Sequence, residues 1–208
     1  VKLYRYQTKA EYIQIQVAAN KEKLDFVWVR DKNVKQIASW LQHFGMKPRV
    51  GLCHGTRGGQ EQKLFTKYLP GCAMLGTDIA PTASSFPLTI QWDFHDPMWK
   101  GVCDFVYSNS LDHAWNPMRA VRTWLASLVS GGILIIEWGS NYEQPNKVDP
   151  FGATIEELLT LIKWCGGEVM AVDDAEDPQT TVYLKLVYIR RRRFDEIDQC
   201  LGRKPWDE

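Results

Sequence analysis

The chain has 208 residues, 25 Lys and Arg against 25 Asp and Glu, and 45% hydrophobic residues. These values describe one globular domain with a sizeable core and exclude a disordered chain. The zero charge balance argues against a protein that grips long nucleic acid by charge alone, though a local basic patch stays open.

Residues 9–24 read as a helix with Ile13 and Val17 on one face. Residues 31–44 read as a second, with Val34, Ile37, Ala38 and Leu41 at helical spacing and Gly45 as its stop. A short buried strand follows at 49–53, then a helix at 58–69 with Leu64, Phe65 and Tyr68 inward. Further strands are expected at 73–77, 88–92 and 105–108. Asn116 caps the next helix and Pro117 opens it; Met118, Val121, Leu125 and Leu128 form its apolar face. Gly131 and Gly132 turn the chain into a fifth strand at 133–138, and a loop rich in Asn, Pro and Gly spans 139–152. Thr154 and Glu157 match a capping box for a helix carrying Ile155, Leu158, Leu159 and Ile162 and ended by Gly166 and Gly167. The last strands fall at 168–172 and 181–189, with too short a gap for a crossover helix, so they pair antiparallel. The whole is an α/β, doubly wound, seven-stranded sheet, mostly parallel with an antiparallel C-terminal strand, preceded by N-terminal helices. Residues 1–47 form a helical cap, 48–193 the core and 194–208 a tail of a single domain.

No secretory signal and no apolar run of roughly 18 residues is present, so no membrane span is expected. The chain opens at Val1, so an initiator methionine or more can precede it. Its five cysteines form no CxxC pair, which leaves no zinc spacing and no metal expected. Buried thiols in a reducing cytoplasm are the expectation. The nine tryptophans are mostly packing residues, with one or two available as a wall for a flat ligand.

The chemistry gathers at strand ends. Residues 50–61 read Val-Gly-Leu-Cys-His-Gly-Thr-Arg-Gly-Gly-Gln-Glu, a strand, a glycine-rich turn and a helix start. Such a turn brings a ligand against backbone and aims a helix N-terminus at it. Its glycines do not have the GxGxxG dinucleotide spacing, and a purely structural βα turn reads the same way. Asp78 ends the second strand 23 positions after Gly55, where a carboxylate can accept both ribose hydroxyls of a nucleoside, or simply cap a turn. Asp93, between Trp92 and Phe94 after the third strand, can accept from an adenine amino group beside an apolar wall, or cap a turn.

In this order these segments resemble the class I S-adenosylmethionine-dependent methyltransferases. The segment from Asp104 to Pro117, with its Asp112-His113 pair, the following helix and Gly-Gly strand, and the final hairpin extend the likeness over residues 50–191. The resemblance implies a Rossmann-like fold that binds S-adenosylmethionine and releases S-adenosylhomocysteine. It implies donor contacts from Cys53, His54, Gly55, Thr56, Arg57 and Gly58 in the turn. Asp78 and Ile79 follow at the second strand, Trp92, Asp93 and Phe94 at the third, and Ser108 and Asn109 at the fourth. His113 is the first candidate for general base, with Asp112 orienting it or binding substrate, or else the pair only packs or caps the loop; His54 and Glu137 are weaker candidates. The chain departs from the family pattern at Gly51, where an acidic residue is common, and at Cys53, where the first glycine would stand. Glu61 is the carboxylate that can replace the missing acid. The helical region 1–47 and the loop 139–152 are where the acceptor pocket is expected.

A [DNS]-P-P-[YFW] motif of base-modifying enzymes is absent, with Ser108-Asn109-Ser110 in its place. The arginine run 190–193 reads as a solvated strand end, or else as a phosphate contact. The leading expectation is therefore methylation of a small molecule. Methylation of nucleic acid or protein, and nucleoside binding without catalysis, stand beside it. Oligomeric state is not legible.

Overall fold

The computed structural model describes residues 1–176 and 183–192. The expected tail, Arg193, Cys200 and the first two residues of the last expected strand lie outside the described residues. The elements run β1 (Lys2–Leu3), α1 (Lys9–Glu22), α2 (Asp31–His43), β2 (Val50–His54), α3 (Gln60–Tyr68), β3 (Ala73–Asp78) and β4 (Thr89–Gln91). They continue with β5 (Cys103–Ser108), α4 (Pro117–Ser127), β6 (Leu128–Gly139), β7 (Phe151–Gly152), α5 (Ile155–Trp164), β8 (Gly167–Asp174) and β9 (Leu184–Arg191).

Seven strands form one sheet in the order β4-β3-β2-β5-β6-β9-β8. The pairs from β4 to β6 are parallel, while β9 runs antiparallel to both β6 and β8. This is the expected architecture, and the chain order reverses direction between β2 and β5. Open α/β sheets bind ligands at the carboxyl ends of strands beside such a reversal.

The strands sort their side chains by alternation. Leu52, Val106, Leu134, Ile136, Val187 and Ile189 share one buried cluster with Trp124, Leu125, Leu158, Leu161 and Ile162 of α4 and α5. Cys53, Phe105, Tyr107, Ile135, Leu186 and Tyr188 share the other with Val34, Ile37, Leu41 and Phe65 of α2 and α3. Local signals then fix the helix ends. The Asn116 side chain accepts from the Arg119 amide at 3.0 Å, and the Thr154–Glu157 capping box is reciprocal, at 3.3 and 3.0 Å.

Three details differ from the sequence reading. The glycines expected as a turn, Gly131 and Gly132, lie inside the long β6: Leu128 already pairs with Cys103, and the ladder shifts before Ile133 meets Phe105. The added φ freedom of Gly131, at +81°, absorbs that irregularity. Residues 2–3 pair with Gly152 and Phe151, a two-strand ribbon too short to carry an alternating pattern. Finally, α1 buries Tyr12 and Gln16, not Ile13 and Val17, because it covers a polar cleft instead of the apolar core.

Candidate functional site

The glycine turn leaves β2 in a conformation that few residues tolerate. Gly55 has φ +73°, and a Cβ there would lie 2.5 Å from the Ser110 Cβ. Its amide and that of Thr56 both donate to the Thr77 carbonyl, at 2.8 and 3.1 Å. Arg57 takes φ +46° despite its side chain, a strain of about 1–3 kcal/mol that surrounding contacts must hold. Those contacts are specific. The Arg57 amide donates to Asp78 Oδ2 at 2.9 Å, and its guanidinium donates to the carbonyls of Lys23 and Phe26 at 3.1 and 3.0 Å. Turn, strand end and the exit of α1 are thereby joined.

Asp78 is 5% exposed. Its Oδ1 accepts from the Ala80 amide and from the side-chain amide of Asn20 on α1, each at 2.9 Å. Burial raises its carboxyl above the usual range, against the pull of those backbone donors. Tyr12, Gln16, Ala19 and Asn20 of α1 roof a cavity of about 50 Å³ over Gly55, Arg57, Asp78, Ile79, Asp93 and Phe94. That space admits a few water molecules and no nucleoside.

Asp93 stands on the far wall. It accepts from the His95 amide at 3.0 Å and the His95 ring Nδ1 at 2.6 Å, and pairs with Lys9 Nζ at 3.1 Å. Because the Asn116 amide approaches His95 Nε2 at 3.4 Å, the ring carries its proton on Nδ1 and is neutral. Burial pushes the Asp93 carboxyl up, but the His95 bonds and the Lys9 ammonium outweigh it and hold it well below the usual carboxylate range. Phe94 packs edge-on against Trp124, with ring centres 5.4 Å apart.

A larger chamber of about 650 Å³ opens on the other side of the turn. Its floor holds Glu61, Asn109, Asp112 and His113; Asp149 and Tyr142 come from the loop after β6, and Phe26, Trp28 and Phe86 supply apolar walls. Several polar atoms here are buried without a hydrogen-bond partner: Glu61 Oε2, Asn109 Nδ2 and Asp112 Oδ1. Burial pushes the Glu61 carboxyl up to about 8 and that of Asp112 up to about 6. His113 Nδ1 lies 3.1 Å from the Val148 carbonyl, so Nδ1 carries a proton and, in the neutral ring, Nε2 is the nitrogen with the lone pair. Nε2 lies 4.0 Å from Asp112 Oδ2, and Asp149 Oδ1 is 3.4 Å from Nδ1. One ligand atom each from Asp112, His113 and Asp149 falls within 4.8 Å of the others, a juxtaposition that the sequence reading, with no metal spacing in view, did not contain.

The structure therefore brings Gly55, Thr56, Arg57, Gly58, Asp78, Ile79, Asp93, Phe94, Asn109, Asp112 and His113 to the walls of two adjoining cavities. It puts four others elsewhere. Cys53 is fully buried in the core facing α2 and α3. His54 is buried, bonded through Nδ1 to the Thr77 hydroxyl at 2.7 Å and stacked 5.2 Å from Trp124; burial pushes its pKa down to about 3. Ser108 donates to the His54 carbonyl and accepts from the Ser110 amide, bracing the turn from beneath. Trp92 turns away, donating its indole N–H to the Asp96 carbonyl at 2.8 Å. Glu137, the weaker base candidate, is buried against Asn33 and Tyr107. Arg190 of the arginine run pairs with Glu168 at 2.8 Å. Asn20, Tyr142 and Asp149 carried no motif that announced them; only the expectation that 1–47 and 139–152 build the pocket pointed to their segments.

No protein-family model matches the sequence, and no curated protein matches it. Solved structures do match in fold. A Burkholderia thailandensis 1,6-didemethyltoxoflavin-N1-methyltransferase, solved with 1,6-didemethyltoxoflavin and S-adenosylhomocysteine, superposes with a TM-score of 0.71 at 14% identity, covering 91% of this chain and 93% of that one. The plantazolicin methyltransferase bound to S-adenosylhomocysteine gives a TM-score of 0.65 at 12% identity over 88% and 96%. Magnesium protoporphyrin IX methyltransferase from Synechocystis, with S-adenosylmethionine, gives 0.58 at 13% over 91% and 87%. The chain has the class I S-adenosylmethionine-dependent methyltransferase fold.

Proposed function

We propose that this chain is an S-adenosylmethionine-dependent methyltransferase acting on a small-molecule acceptor. The observation that carries the reading is convergence. Asp78, Asp93 and the Asp112-His113 pair meet the Gly55 turn at one end of the sheet, beside a 650 Å³ chamber. The bound donor supplies a methyl group already activated on a sulfonium, so positioning and exclusion of water carry much of the work.

Gly55 to Gly58 cradle the donor with backbone, and the close approach of Ser110 explains why Gly55 has no side chain. Asp78 takes the ribose hydroxyls, Ile79 and Phe94 flank the adenine, and Asp93 accepts from its amino group. Glu61, with a buried unpartnered oxygen on the chamber floor, takes the methionine ammonium, and Asn109 lies beside it. Cys53, His54, Ser108 and Trp92 hold the turn and strand ends from behind. His113 Nε2 is the proton acceptor for the substrate, and Asp112 holds the substrate beside it. Because the cavity over Asp78 is only about 50 Å³, α1 lifts to admit the donor.

Free Cys53, Cys72, Cys103 and Cys165 suit a reducing compartment such as the cytoplasm, and no helix among the described residues is long and apolar enough to cross a membrane. Calorimetry with S-adenosylmethionine and S-adenosylhomocysteine tests the reading: micromolar binding of both is expected, and no binding at high micromolar donor overturns it. Tight donor binding with no transfer to any acceptor in a broad screen points instead to a binding module.

A further inference from the structure

We propose that the acceptor is an amine. It is held as its ammonium ion between Asp112 and Asp149, with its carbon frame against Trp28 and Tyr142, and His113 removes its proton before methyl transfer. This inference rests on the proposed methyltransferase function, with the acceptor at the Asp112–His113 end of the large chamber.

The first argument is an unmet need. Asp112 is 4% exposed, lines the chamber, and has an Oδ1 with no hydrogen-bond partner among the described residues. A carboxylate buried with one oxygen unbonded is short of donors, and a charged donor at its other oxygen, Oδ2, offsets that shortage. The second is the spacing. Asp112 Oδ2 and His113 Nε2 stand 4.0 Å apart, too far for a hydrogen bond to each other. A nitrogen placed between them reaches both at about 2.8 Å, a normal bond length. It then donates one proton to the carboxylate and offers another to the imidazole lone pair.

The third is the distribution of charge. With Glu61 given to the methionine ammonium, Asp112 and Asp149 remain to face the acceptor, whereas the chamber's ammonium groups, on Lys23 and Lys63, belong to exposed side chains. The Arg57 guanidinium donates through Nη1 to two backbone carbonyls, its Nε has no partner among the described residues, and its charge acts on Glu61 at the donor end of the chamber. Asp149 is itself fixed, since its Oδ2 accepts from Asn146 Nδ2 at 2.9 Å. The fourth is the wall. The Trp28 indole donates to the Tyr142 hydroxyl at 2.9 Å, and Phe26 packs beside it with ring centres 5.1 Å apart. Aromatic faces beside carboxylates recognise organic cations. A carboxylate or phenolate acceptor would meet the carboxylates of Asp112 and Asp149 instead.

The step balances. The ammonium N–H gives its proton to His113 Nε2, leaving a neutral amine and an imidazolium. The nitrogen lone pair forms the new bond to the methyl carbon as the carbon–sulfur bond breaks, and that electron pair stays on sulfur as a neutral thioether. The methylated nitrogen carries the positive charge the sulfonium loses, and the imidazolium returns its proton to solvent. Asp112 and Asp149 offset the repulsion between two cations before the proton leaves.

The test uses the full chain saturated with S-adenosylhomocysteine and three probes on one carbon frame: tyramine, 4-ethylphenol and 3-(4-hydroxyphenyl)propionate. By calorimetry tyramine binds at least tenfold tighter than either other probe. Asp112→Asn, checked for folding by thermal melt, abolishes that preference while leaving the Kd for S-adenosylhomocysteine unchanged; Asp149→Asn reduces it. With S-adenosylmethionine in place of the product, mass spectrometry finds any transferred methyl on nitrogen. Equal binding of the three probes, no binding of tyramine, preference for the anion, or a methyl on the phenol or carboxylate oxygen overturns the proposal. So does Mn²⁺ binding that depends on Asp112 and displaces tyramine's advantage, which would make the cluster a metal site. The donor-binding titration fails separately: a chain that binds no donor sinks the methyltransferase reading, and one that binds donor without amine preference sinks this inference alone.

Discussion

Replacing Asn20 with Ala is expected to tighten donor binding. Asn20 donates from α1 to Asp78 Oδ1 at 2.9 Å, the atom assigned to a ribose hydroxyl, so the helix and the donor compete for one acceptor. A hydrogen bond to a charged group contributes about 1.5–3 kcal/mol net. The ligand must break it before making its own. Water replaces part of that bond in the variant, so the lower end applies, and about 1.4 kcal/mol corresponds to tenfold in Kd. Asn20→Ala should therefore bind S-adenosylhomocysteine about tenfold more tightly. Asp78→Ala loses two charge-assisted bonds, about 3 kcal/mol or roughly 100-fold in affinity. Calorimetry on the wild type, both single variants and the double variant measures this directly. In the double variant the Asn20 effect should vanish, because its partner is gone. If Asn20→Ala weakens binding as Asp78→Ala does, Asn20 is a ligand group and the competition argument is wrong.

Two further outcomes follow from burial and a third from close packing. Burial holds the His54 pKa down at about 3, against roughly 6.5 in the unfolded chain. The unfolded state thus binds the extra proton below pH 6.5, and His54 costs stability as pH falls, about 2 kcal/mol between pH 7 and 5. Glu61 and Asp112, raised by burial, act in the opposite sense over that range, so the comparison is with a variant. Urea unfolding of His54→Gln should show that much less loss on acidification than wild type, and parallel pH curves would refute the assignment. Glu61, pushed up to about 8, is mostly protonated at pH 7; taking the methionine ammonium ionises it. Donor binding at pH 7 should then release up to one proton, seen as a buffer-dependent heat that Glu61→Gln removes. Gly55→Ala places a methyl 2.5 Å from Ser110 at φ +73°. It should cost about 1–3 kcal/mol and several degrees of melting temperature, and an unchanged melt would show that the turn relaxes freely.

The sequence carried the order of elements because each strand and helix announced itself through its own period. Leu158 and Ile162 repeat at helical spacing, and Leu134 and Ile136 alternate with Ile133 and Ile135 toward the two cores. Caps such as Asn116 and Thr154 are local too, a side chain reaching amides three residues on. The short gap before β9 was enough to make it antiparallel.

Tertiary structure decided which side chains face the site. Cys53, His54 and Gly55 are consecutive, yet Cys53 faces one core, His54 stacks on Trp124 in the other, and Gly55 alone reaches the cleft. A strand alternates its faces and a turn then breaks the alternation, so a motif names the place but not the direction of each side chain. The same holds for α1, whose weak apolar pattern hid a polar underside set against Asp78. The partnership of Asp112 and His113 with Asp149 spans the length of α4 and β6, and no local pattern records it. By itself the sequence determined the fold and the strand ends where chemistry gathers. Folding alone determined the charge of the chamber, because burial and distance act between residues far apart in the chain.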